Sequence, residues 1–212
     1  MSASKFESLT GETDLEFPEY EDPPAGPMEL VQSWLKTAVE RGVREPRALA
    51  LATADGRGRA SSRIVVITEV AGRGLLFTTH STSRKARDLA ANPWASGLLY
   101  WRETGRQIIL SGPVTPLADE ECEAIWNARP IPLHSMSTAS RQSEELPDPA
   151  ALRAEAERLG ATGAALERPA RFVGYVLQPA EVEFWCARSD RLHQRLRYDR
   201  DGAGWRTSRL QP

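Results

Sequence analysis

Between Ser62 and Ala91 the chain alternates strand-like and turn-like segments so regularly that few folds can hold it. Arg63-Ile64-Val65-Val66-Ile67-Thr68 reads as a strand rich in β-branched residues. Ala71-Gly72-Arg73-Gly74 reads as a turn, and Leu75-Leu76-Phe77-Thr78-Thr79 as the return strand. His80-Ser81-Thr82-Ser83 then leads into a short helix that opens at Arg84-Lys85 and stops at Asn92-Pro93. The first turn of a helix offers unpaired N–H groups and a partial positive charge, which suit an anion. Thr78, Thr79, Ser83, Arg84 and Lys85 gather there, and Arg63 begins the partner strand, so the stretch is a candidate phosphate cradle. The same residues also fit a Ser-capped helix with solvated cations.

More strands follow the same pattern. Ala48 to Thr53 precedes the hairpin, and Trp94 to Trp101 with Gln107 to Val114 makes a second one. Phe172 to Leu177, Val182 to Cys186, Leu192 to Tyr198 and Trp205 to Leu210 are strand-like in turn. Helices are expected from Pro27 to Gly42, Asp119 to Ala128 and Ala150 to Leu159. The first has an apolar face of Leu30, Val31, Trp34, Leu35, Ala38 and Val39. Residues 130–147 are Ser-rich without periodicity and read as a long loop, of the kind that often carries function. The expected fold is mainly β with peripheral α, a barrel-like core in a single domain over residues 27–212. Residues 1–26, acidic and proline-bearing, read as a flexible or extended arm.

Charge and composition exclude several function classes. The net charge of −2 over 212 residues gives no general attraction to nucleic acid or anionic membranes. No apolar run approaches a membrane span, and no apolar segment follows basic residues at the N-terminus, so a cytoplasmic protein is expected. Cys122 and Cys186 lie far apart, and with three histidines in all the chain has no metal-ligand spacing.

Near the C-terminus, a strand period of two places Glu183 with Trp185. In Arg191-Leu192-His193-Gln194-Arg195 the same period aligns Arg191, His193 and Arg195. A Trp beside two Arg and a His suits a planar anionic ligand. It equally describes a solvated basic face with Trp185 as packing.

Val182-Glu183-Phe184-Trp185 with Arg191-Leu192-His193-Gln194-Arg195 resembles the C-terminal signature of the pyridoxamine 5′-phosphate oxidase family. Arg63-Ile64-Val65-Val66, Phe77-Thr78-Thr79, Ser83-Arg84-Lys85, Arg106-Gln107 and Arg141-Gln142-Ser143 resemble that family's other motifs, in the same order. The resemblance covers residues 28–212. It implies an FMN-binding split β-barrel and a homodimer with the flavin between subunits. Arg63, Ile64, Val65, Val66, Thr78, Thr79, Ser83, Arg84, Lys85 and Ser143 would form the phosphate segment. Gln107, Gln142, Trp185 and Arg195 would lie along the ribityl chain and ring. Arg191 and His193 would be catalytic, pointing at the substrate, with Arg129 as a further substrate-binding residue.

The departures concern substrate. Where the vitamin B6 oxidases hold a substrate phosphate with a lysine, a tyrosine, an arginine and a serine, this chain resembles them only at Arg129. Thr68, Ile125 and Leu133 occupy the other positions. Each lost charge-assisted bond removes about 1.5–3 kcal/mol. Cys186-Ala187 and Gln194 also depart from the usual pattern. Asn92-Pro93-Trp94-Ala95-Ser96-Gly97, Leu99-Tyr100-Trp101-Arg102-Glu103-Thr104 and the ending Arg209-Leu210-Gln211-Pro212 look like one branch, the flavin oxidases of phenazine biosynthesis. That resemblance implies oxidation of reduced phenazine carboxylates with O2. The rivals are a true vitamin B6 phosphate oxidase and a non-enzymatic split barrel that binds flavin or haem.

Overall fold

A computed structural model describes residues 9–212, so the start of the expected arm, residues 1–8, lies outside the described residues. In chain order the elements are α1 (Pro27–Glu40), β1 (Ala48–Ala54), β2 (Ala60–Ala71), β3 (Gly74–His80), α2 (Arg84–Ala91), β4 (Trp94–Trp101), β5 (Arg106–Pro116), α3 (Asp119–Ala128), α4 (His134–Ala139), α5 (Pro149–Gly160), β6 (Phe172–Leu177), β7 (Glu181–Cys186), β8 (Gln194–Asp201) and β9 (Gly204–Arg209).

Six strands close on themselves in the order β4-β1-β2-β3-β6-β5, with β5 pairing back onto β4. This is the mainly β barrel with peripheral helices that the strand pattern predicts. β5 gives one edge to β4 and divides the other. Arg106 to Ser111 pairs with β7, and Val114 to Pro116 pairs with β6. The corner from β6 to β7 crosses the division at Gly112, where a Cβ would stand 2.1 Å from the Gln178 carbonyl oxygen. Only glycine leaves that backbone room, and from there β7, β8 and β9 extend as a flap off the barrel.

Alternation sets the core. In β1, Leu49 and Leu51 point inward with Thr53, and Phe77, Leu99, Ile108, Leu110 and Val182 meet them. Each such buried side chain stabilises the fold by about 1.5–3 kcal/mol. One aromatic series ties the barrel to its cover: Phe17 to Trp34 at 4.8 Å, Trp34 to Phe184 at 5.2 Å and Phe184 to Tyr198 at 6.0 Å between ring centroids.

Four expectations change. Residues 9–26 are no free arm, since Leu15 and Phe17 are buried and Phe17 belongs to that aromatic series. Val39 lies off the packed face of α1 and is 52% exposed. The loop 130–147 contains α4, which forms because His134 is buried against Trp126 and fastened to Arg129 O and Leu166 N. Last, β8 starts at Gln194, so Arg191, Leu192 and His193 belong to a turn, where Arg191 adopts a φ of 69°.

Candidate functional site

The cradle forms at the barrel end beside α2. Arg63 and Thr79 share the inward phase of β2 and β3, past the last large apolar side chains. Ser83 caps α2 and accepts from Ala86 N at 3.4 Å. Lys85 Nζ donates to Thr79 Oγ1 at 2.8 Å and to Gln142 Oε1 at 3.4 Å. Arg84 N donates to Ser143 Oγ at 3.0 Å, which brings the 141–143 loop to the helix terminus. Ser143 holds a φ of 68°, a left-handed conformation that costs a non-glycine residue on the order of 1 kcal/mol or more. Thr78 is half-buried, Ile64 and Val66 face outward, and Val65 is committed to the core.

The charges do not balance. Arg63 and Arg84 share one carboxylate, Asp88, at 3.7 Å and 4.0 Å, and Lys85 makes no ion pair among the described residues. Asp88 also accepts from Thr53 and Ser61. Burial holds Arg63 and Lys85 below their usual pKa, and for Lys85 the nearby Arg63 adds to it. Three cations against one carboxylate leave room for about two negative charges, those of a phosphate monoester. Asp88 was missed from sequence, although its spacing of four from Arg84 marks the same helix face.

His80 is a second residue that sequence reasoning passed over. It is 2% exposed, and its Nδ1 accepts from Gln142 N at 3.4 Å. Burial lowers its pKa, and the charges of Arg171, Lys85 and Arg129 lower it further. Arg129 caps α3 nearby; its Nη2 reaches Ser137 Oγ at 3.3 Å, while its buried Nε has no partner among the described residues. Burial lowers its pKa too. Of the three departing positions, Ile125 is half-buried, Leu133 is 48% exposed, and Thr68 donates its hydroxyl to Leu76 O.

The other expected residues assemble elsewhere. Gln107, Trp185 and Arg195 form one cross-strand row on the outward face of β5, β7 and β8. His193 stands beside Trp185 with ring centroids 4.9 Å apart. Arg195 Nε donates to Glu183 Oε1 at 2.7 Å and Nη1 to Gln211 O at 2.8 Å. Arg188 N donates to His193 Nδ1 at 3.0 Å, so the imidazole carries its proton on Nε2. Burial, with Arg191 alongside, lowers the His193 pKa and keeps the ring neutral.

β2 and β5 stand three strands apart either way round the barrel. No hydrogen bond or ion pair among the described residues links the cradle to the Trp185 row. Each is an open half-site, and a cavity of about 580 Å³ sits elsewhere, between α4 and α5. No group of His, Cys, Asp or Glu among the described residues could hold a metal, and no helix there is long and apolar enough to cross a membrane.

Residues 35–163 match the family model described as pyridoxamine 5′-phosphate oxidase. Residues 172–212 match the pyridoxine 5′-phosphate oxidase C-terminal dimerisation region. The chain is 58% identical over 212 residues to a dihydrophenazinedicarboxylate synthase of Burkholderia lata, covering all of both chains. It is 52% identical to the enzyme of that name from Pseudomonas chlororaphis, over 97% of this chain and 93% of that one. Its structure matches the crystal structure of PhzG from Burkholderia lata 383 in complex with tetrahydrophenazine-1-carboxylic acid. That match has a TM-score of 0.93 and 57% identity, over 95% of this chain and 100% of that one.

Proposed function

This chain belongs to the pyridoxamine 5′-phosphate oxidase family, and we propose that it is an FMN-dependent oxidase that aromatises partly reduced phenazine carboxylic acids with O2 as acceptor. The observation that carries the substrate reading is Arg129, a half-buried guanidinium with an unpartnered Nε, 5.8 Å over the Phe172 ring, in a segment that carries the apolar Ile125 and Leu133 four residues to either side. One cation among apolar side chains suits a carboxylate on a fused-ring body better than a phosphate ester. The full-length likeness to two dihydrophenazinedicarboxylate synthases supports the same choice.

The cradle fits the FMN phosphate, because its net positive charge and its hydroxyls are those a dianion needs. Arg63, Thr79, Ser83, Arg84, Lys85, Gln142 and Ser143 would hold it, with the 64–66 backbone alongside. Gln107, Trp185 and Arg195 would meet the ring of the flavin held by a second copy. Because the two half-sites stand apart in one chain, a two-fold dimer pairing each with its counterpart completes both at once. The match to a dimerisation region supports that assembly. The chemistry FMN supplies when bound is acceptance of a hydride and delivery of the electrons to O2 as hydrogen peroxide.

The protein's own part is placement. Arg129 and Arg191 would take substrate carboxylates, and Trp185 with His193, their rings tilted by 52°, would form an angled aromatic wall. With Nδ1 occupied by Arg188 N, His193 offers an Nε2–H donor rather than a base. Arg195, anchored by Glu183, would place positive charge at the ring edge where the reduced flavin is anionic.

The test is O2 uptake by FMN-loaded protein with pyridoxine 5′-phosphate and, separately, a freshly reduced phenazine dicarboxylate corrected for its spontaneous oxidation. Uptake with the phenazine precursor alone is expected. Comparable turnover of the vitamer would overturn the substrate assignment, and flavin binding without reduction by either compound would favour a carrier.

A further inference from the structure

The turn 187–193 carries both Arg191 and His193, and it is tied to the N-terminal segment. Asp14 N donates to Ala187 O at 3.0 Å, and Ser189 N donates to Asp14 Oδ1 at 3.2 Å. Arg188 Nε lies 3.3 Å from the same oxygen. Asp14 therefore grips three consecutive residues, and the middle one is the residue whose N–H fixes the His193 tautomer.

The segment is built to hold Asp14 there. Asp14 adopts a φ of 62°, a left-handed conformation that costs a non-glycine residue energy and persists only where its surroundings impose it. On one side Glu12 N donates to Glu103 O. On the other, Leu15 and Phe17 are buried, Leu15 O faces Cys186 Sγ, and Glu16 O accepts from Arg106 Nη2 at 2.6 Å. Gly105, at a φ of 55°, lies between the two partners: a Cβ there would stand 2.6 Å from Glu12 O and 2.9 Å from Ala187 Cβ. Segment, Gly105 hairpin and turn thus pack as one unit.

We propose that Asp14 is a positioning residue of the proposed oxidation, holding the 187–193 turn so that His193 and Arg191 are fixed toward the substrate. The proposal rests on the functional reading above for its catalytic consequence. The Ser189 N–H holds the Asp14 carboxyl below its usual range, so the grip persists through neutral pH.

The experiment compares Asp14→Ala and Asp14→Asn with wild type in the full-length, flavin-loaded protein, by amide hydrogen exchange and steady-state kinetics. In Asp14→Ala, exchange at Arg188 and Ser189 is expected to accelerate about tenfold or more. Leu49 in the barrel and Phe184 on β7 stay protected. kcat/KM for the reduced phenazine falls roughly 10- to 100-fold at unchanged flavin affinity. Asn keeps an acceptor and tolerates the left-handed conformation, so Asp14→Asn restores Ser189 protection and most of the rate. The proposal fails if Asp14→Ala exchanges like wild type, if exchange accelerates equally across the barrel, if kcat/KM is unchanged, or if Asn behaves like Ala. Should no phenazine reduce the flavin, the functional reading fails, while the exchange contrast still decides whether Asp14 holds the turn.

Discussion

Glu183 and Arg195 meet on the diagonal across β7 and β8, one pair off the direct Glu183–Arg197 register, the carboxylate 8% exposed and the guanidinium 30%, with Arg195 Nε 2.7 Å from Glu183 Oε1. An Arg in the row proposed to meet the flavin is thereby aimed by a buried acid on the same sheet face, and the Gln211 carbonyl fixes its other branch. Glu183→Ala is expected to lower stability by about 1–3 kcal/mol, the cost of losing a charged hydrogen bond whose partner stays partly solvated. The reduction potential of the bound flavin falls as Arg195 loosens. Urea denaturation and a dye-equilibration potential check both, and an unchanged potential would show that Arg195 needs no such anchor.

Lys85 tests the cradle from the opposite side. Lys85→Met removes a charge-assisted bond to the phosphate, so the FMN dissociation constant rises about 10- to 100-fold. The flavin-free protein melts no lower than wild type, because one of three crowded cations is gone. Flavin fluorescence titration and thermal melts read the two effects, which run in opposite directions only if the cluster exists for an anion.

On the proposed function, substrate choice lies at Thr68, Ile125 and Leu133. The triple variant Thr68→Lys, Ile125→Tyr, Leu133→Ser is expected to gain oxidation of pyridoxine 5′-phosphate by at least about 100-fold in kcat/KM, since two restored bonds amount to about 3 kcal/mol or more. Oxidation of the phenazine precursor falls in the same protein. Parallel O2-uptake assays decide it.

Acid should loosen the flavin-free protein in a defined window. The pKa values of His80 and His193 are both lowered in the folded state. Above the unfolded value near 6.5 both states are neutral and nothing is lost. As pH falls below it the unfolded chain takes protons that the folded chain refuses, so stability declines through the folded pKa. Melting temperature is expected to drop from pH 7 to pH 5, and less steeply in His80→Gln. An identical slope in that variant would remove His80 from the account.

How much of this was legible in the sequence follows from how local each signal is. The Ser83 cap, the Gly72–Gly74 turn and the Asn92-Pro93 stop act within a few residues, and β3 and α2 stand where they predict. Alternation misled at Arg191 and His193, because a turn that continues an alternating pattern cannot be told from a strand without its φ values. Four of the six residues of α4 are His, Ser or Thr, of modest helix propensity, and the helix is held by His134 against Trp126, a contact across the fold. Leu15 and Phe17, two apolar residues in an acidic run, were the one trace of packing in the arm. Asp14 left none, since its partners lie at the far end of the chain.

The split strand β5 acts as a ruler. Gln107 near its start sits in the row that reaches Trp185, and its far end closes the barrel whose opposite side carries Arg63. From β2 to β7 the count is four strands, at about 4.8 Å each along the sheet. The spacing between the two half-sites is therefore quantised by backbone pairing rather than tuned by side chains. On the proposed function, new substrates are reached by changing Ile125 on α3 or Leu133 just ahead of α4, whereas adding or losing a strand would misalign both halves of the dimer at a stroke.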